Sequence, residues 1–169
     1  MDKIKLQNLF GFPLIIKEQD CVNLTKMPIS GSIKKSYLHT APKNNYLDLG
    51  NLFSEVVINF FEDGSYKLIF RGDTNNCKKE LTANRVLFYN ALHKILGEDS
   101  EGAKSFSYTD FINLHSGSKW IYTKVWDNYG ASLDYLGPDM GLELVLESQV
   151  IDKKSNIEID LTPELYSIH

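Results

Sequence analysis

The chain has 169 residues, of which 43% are hydrophobic and 24% charged, with a formal net charge of −4. That make-up is globular and excludes a disordered or low-complexity polypeptide. Basic charge is almost all lysine, with Arg71 and Arg85 the only arginines, which leaves little for arginine-driven phosphate recognition.

A length near 150 residues suffices to hide roughly 70% of the unfolded surface, so a single domain over 1–169 is the expectation. The apolar run from Leu9 to Ile16 is interrupted by Gly11 and Pro13. It is far shorter than the ~20 residues of a membrane span, and no cleavage-site pattern follows it, so we read a cytoplasmic protein without membrane association. Cys21 and Cys77 read as two reduced thiols rather than as a disulfide framework.

In chain order, period-two alternation marks strand segments at Leu14 to Lys17, Ser32 to His39 and Tyr46 to Leu52. Val56 to Phe61 and Tyr66 to Arg71 flank Glu62-Asp63-Gly64-Ser65, and an Asp-Gly step between two such runs predicts a hairpin. One helix is predicted over about 83–96, capped by Thr82, striped by Leu87, Phe88, Ala91, Leu92 and Ile95, and ended by Gly97. Gly97 to Lys104 reads as a solvent-exposed loop. Strands return at Lys119 to Trp126, Ala131 to Leu136, Leu142 to Gln149 and Asn156 to Leu161, with a short helix start at Thr162-Pro163-Glu164. The fold class is therefore α+β: a predominantly antiparallel sheet of about six to nine strands with one principal helix packed on it.

Charge is unevenly placed. Residues 1–126 hold 16 basic and 13 acidic side chains, whereas 127–169 hold two basic and nine acidic ones. In Leu142 to Glu147 the leucines share one strand face, leaving Glu143 and Glu147 opposite, and Glu158 and Asp160 fall opposite Ile157, Ile159 and Leu161. Paired as a hairpin, the two strands would align these four carboxylates on one solvent face. Like charges across neighbouring strands oppose folding, so such a face points to a function or to protection of a sheet edge.

No histidine or cysteine spacing forms a metal site, and no glycine-rich phosphate loop or nucleophile elbow is present, so no cofactor and no catalytic residue is assigned. The reading is a non-enzymatic protein-binding domain that masks a basic partner surface, as an immunity protein does to a nuclease-type toxin. Its binding residues would be Trp126, Tyr129, Asp134, Tyr135, Asp139, Glu143, Glu147, Glu158 and Asp160. One alternative is single-stranded nucleic-acid binding on a Trp120/Tyr122/Lys124/Trp126 strand face, disfavoured by the negative charge. Another is a small enzyme or ligand-binding domain whose pocket is assembled from distant residues.

Overall fold

The computed structural model describes residues 3–72, 80–116 and 119–160. Seven strands form one antiparallel sheet in the order β2-β3-β4-β5-β8-β7-β6. Their ranges are β2 Thr25–Lys26, β3 Ile33–Thr40, β4 Glu55–Phe61, β5 Tyr66–Gly72, β6 Tyr122–Trp126, β7 Ala131–Tyr135 and β8 Leu142–Glu147. A second sheet pairs β1, Lys3–Lys5, with β9, Glu158–Asp160. The helices are α1 Ala83–Leu96, α2 Tyr108–His115 and α3 Ser148–Lys154. The α+β class and the predominance of antiparallel strands are as expected from the sequence.

Local chemistry accounts for the strongest elements. The β4–β5 hairpin turns at Gly64, whose φ of 84° suits a residue without a Cβ, while the Asp63 carboxylate accepts from the Ser65 amide at 2.9 Å. The α1 boundaries match the expectation: Thr82 Oγ1 accepts from the Arg85 amide, and the Gly97 amide donates to the His93 carbonyl at 2.7 Å. Period-two burial then selects one face of the sheet. Ile58, Leu68, Phe70, Leu133, Leu142, Leu144 and Leu146 are buried. Phe88 of α1 and Phe10 and Phe53 from the loops join them in a ring cluster around Phe70. Each fully buried side chain of this kind contributes about 1.5–3 kcal/mol.

Several local expectations are corrected by tertiary context. Leu14 to Lys17 and Tyr46 to Leu52 are not strands, apart from an isolated bridge between Phe10 and Asp48. The Asp48 carboxylate caps the second segment into a turn by accepting from the Leu52 and Phe53 amides at 2.9 Å each. The hairpin expected between Leu142–Gln149 and Asn156–Leu161 does not form. β8 is flanked by β5 and β7, the chain turns through α3, and β9 pairs with β1 at the N-terminus. The helix start at Thr162 and the thiol of Cys77 lie outside the described residues, while Cys21 is a buried free thiol.

Helix α2 was not foreseen, although its signals are local. Ser107 and Asp110 form a capping box, with Asp110 Oδ2 accepting from the Ser107 amide at 2.6 Å and Ser107 Oγ accepting from the Asp110 amide at 3.1 Å. Phe106 and Phe111 stack across the start with centroids 5.7 Å apart, the hydrophobic staple that fixes entry into a helix.

Candidate functional site

The least ordinary backbone lies between β6 and β7. Asp127, Asn128 and Tyr129 have φ values of 47°, 52° and 74°, three successive non-glycine residues in the left-handed region. At about 1–2 kcal/mol per residue, with Asn128 the most tolerant, this turn costs several kcal/mol and must be held from outside. Asp127 does so by pairing with Lys153 at 3.3 Å and Lys154 at 3.6 Å, both on α3. Gly130 ends the turn against the same helix, where an added Cβ would lie 2.5 Å from Val150 Cγ2. The side chain that this clamped turn projects is Tyr129, 79% exposed.

Beside Tyr129 lies a cleft of about 430 Å³ lined by Glu98, Asp99, Ser100, Val125, Asp127 and Asn128. Its far wall is the segment after α1, and a buried ion cluster positions that wall. Asp99, 3% exposed at its side chain, accepts from the Glu101 and Ala103 amides at 3.0 and 2.9 Å and receives the ammonium of Lys124 on β6. Lys124 also lies 3.6 Å from Asp110 of α2 and 4.9 Å from the centre of the Phe106 ring. One buried ammonium thus ties the 97–104 segment and α2 to the sheet edge. The Ser100 amide adds a bond of 2.8 Å to the Val125 carbonyl on the outer side of β6.

The electrostatics follow from this packing. Burial pushes the Asp99 and Asp110 carboxyls up, but Lys124 and the surrounding donors outweigh it and hold both below the usual carboxylate range. Burial, and next to it the phenol's bond to Asp110, raises Tyr122. His93, 1% exposed, stands 3.5 Å from Asp99 Oδ2. Burial first and Lys124 second depress its imidazole below the usual range, with Asp99 opposing them. The remaining anion at the cleft mouth is Glu98, which is exposed and unpaired among the described residues.

The anticipated binding residues are divided among several places. Tyr129 is exposed, in the turn between β6 and β7. Asp134 and Asp139 are accessible, Asp134 on β7 and Asp139 in the β7–β8 turn. Trp126 and Tyr135, 1% and 4% exposed, belong to the core and are corrected as partner contacts. Their alternation places them on the leucine face under the helices, Trp126 edge-on to His93 with centroids 5.5 Å apart. Glu143 and Glu147 do point away from the leucines, but Arg71 and Lys67 on β5 pair with them at 2.9 and 3.2 Å. Glu158 and Asp160 are on β9, where Glu158 meets Lys5 at 3.2 Å and Lys3 at 3.8 Å. The single four-carboxylate face is therefore corrected: strand register sets a lysine or arginine opposite each of the four, Lys3 being the partner position of Asp160, and Glu143, Glu147 and Glu158 form ion pairs.

The base-stacking strand face is corrected as well. Trp120 is 78% exposed, yet Lys124 and Trp126 are buried, so no continuous platform exists. The exposed loop expected at Gly97 to Lys104 instead carries the buried Asp99. Sequence reasoning missed Glu98, Asp99 and Lys124 as one unit, because nothing in their spacing joins a post-helical loop to the middle of a distant strand. The available hint was Asp99 itself, an Asx-turn residue just after a glycine cap. Among the described residues, no group of three or more His, Cys, Asp or Glu side chains could hold a metal ion. No described helix is long and apolar enough to cross a membrane.

Comparison with family models, with curated proteins and with solved structures gives no match.

Proposed function

We propose that the protein is a non-enzymatic binding domain that docks a basic protein surface at the Tyr129 cleft. The observation that carries this reading is the left-handed Asp127-Asn128-Tyr129 turn. Backbone held in so unfavourable a conformation persists only where the surroundings over-determine it, and such sites cluster where binding or switching occurs. Here the clamp projects an aromatic ring beside an unpaired carboxylate, Glu98. A partner arginine or lysine fits that pair, stacking on the ring and meeting the carboxylate; cation–π contacts contribute about 0.5–2 kcal/mol. Asp134, partway along β7, adds to the negative field that steers such a partner, whereas Asp139 lies in the turn at the opposite end of that strand. Masking the basic groove of a nuclease-type toxin is the particular task this chemistry suits, which makes an immunity protein the functional class put forward.

The test compares capture by immobilised wild type with capture by Tyr129→Ala and Glu98→Lys, the retained proteins being identified by mass spectrometry. A basic protein retained by wild type and lost from both variants is the expected result. Association with that protein should slow with added salt and with Glu98→Lys, yet be little changed by Glu158→Lys, whose site is on the other sheet. Equal capture by all three proteins would refute the reading.

A further inference from the structure

The opposite end of the seven-stranded sheet carries surface chemistry of the other sign. Six inter-strand spacings separate its edges, on the order of 30 Å. At the β2–β3 edge a groove of about 320 Å³ is lined by Lys26, Met27, Pro28, Ile29, Lys34 and Tyr37, among others. Ile29 is 55% exposed, an uncovered aliphatic side chain. From Lys17 to Tyr37 the chain has four lysines against two carboxylates. Glu18 takes up part of that charge by pairing with Lys34 at 3.5 Å and with Lys35, and Lys26 remains exposed at the rim.

The outer backbone here is unsuited to adding a strand. The Met27 amide is turned inward to the Ser36 carbonyl at 2.9 Å, so alternation turns the neighbouring positions outward. These are Lys26 and Pro28, the residue types that block edge pairing, Pro28 having no N–H to give. What the groove offers is therefore side-chain docking: apolar contact along Met27, Pro28 and Ile29, with ammonium groups on either side. Its volume suits one large apolar side chain with its backbone, and it is open rather than a channel for an acyl chain.

We infer that this groove binds a short acidic peptide segment of a partner protein, an aliphatic or aromatic anchor flanked by carboxylates. The inference rests on the lysine-rimmed groove alone and is independent of the Tyr129 cleft.

A displayed peptide library selected against the whole protein tests it. The expected consensus is an apolar residue flanked by Asp or Glu. A synthetic peptide of that consensus should bind wild type and Tyr129→Ala equally. It should bind Lys26→Glu/Lys34→Glu at least about tenfold more weakly, through loss of complementary charge, and lose affinity with Ile29→Ser at any salt concentration. Circular dichroism of the variants should match wild type, since all three positions are exposed. A purely basic consensus that depends on Tyr129 would support the acidic cleft and overturn the groove. No consensus, or a consensus peptide indifferent to the lysine reversals, would overturn it too. So would lysine-dependent binding to phosphatidylserine vesicles without peptide binding, or lysine-dependent self-association in light scattering, which assign the surface to a lipid or to a second copy.

Discussion

Tyr129 has a backbone conformation that opposes folding and an exposed side chain that contributes little to it. That imbalance can be measured. Tyr129→Gly removes the Cβ that makes a φ of 74° costly and should raise stability by about 1 kcal/mol. In a chain of this size that corresponds to roughly 2–4 °C in Tm by calorimetry. The same variant should lose the basic partner, because the ring is gone. A stability gain with lost binding is the pattern of a residue kept for function; a fall in Tm would show that the turn is not strained. Tyr129 was legible in the sequence as an aromatic next to Gly130 within an acidic stretch. Its strain was not, because Asp-Asn-Tyr-Gly forms ordinary turns unless α3 fixes one of them.

At the scale of elements, Lys124 joins three pieces that local sequence treats separately: β6, the 97–104 segment and α2. Breaking a buried ion pair by removing one partner typically costs about 3–5 kcal/mol, since the other charge stays buried and unpaired. Lys124→Met should therefore lower stability by that order in urea unfolding. Adding Asp99→Asn should restore part of the loss, and a double variant whose loss equals or exceeds the sum of the two single losses would contradict the coupling. Ser107→Ala tests α2 separately and should cost about 1 kcal/mol through the lost N-cap. Lys124 also shows how alternation misleads. Its position on β6 is an inward one, and the polar end is tolerated there because Asp99 and Asp110 arrive from elsewhere in the chain.

Across the whole molecule, two buried groups pull the pH dependence of stability in opposite directions. Burial raises the Asp48 carboxyl from 3.8 to about 6, although the Phe53, Leu52 and Gly50 amides and Arg85 counter it. Its contribution is complete below the unfolded value and is lost as pH rises through about 6. Two units amount to about 3 kcal/mol at most. His93 is depressed by burial and by Lys124, so its contribution is present above the unfolded value near 6.5 and is lost as pH falls. Asp48→Asn keeps an oxygen for the Leu52 and Phe53 amides while removing the titration. Its stability relative to wild type should therefore improve between pH 4 and pH 7 in paired urea titrations. A difference that does not vary with pH would show that Asp48 ionises normally in the fold.

The sequence alone carried three local features legibly: the β4–β5 hairpin through Asp63-Gly64, α1 through Thr82, its apolar stripe and Gly97, and the leucine face of β8 through period two. It also determined that acidic charge accumulates after residue 127. Strand order belonged to the tertiary structure, because pairing partners are chosen by which apolar faces can be buried together across the whole chain. That choice sent β9 to β1 instead of β8, put Arg71 and Lys67 beside Glu143 and Glu147, and buried Trp126 and Tyr135. It also brought Glu98 to Tyr129, which are 31 residues apart. Their meeting depends on a lysine ammonium that can be buried only where two carboxylates from other segments converge on it.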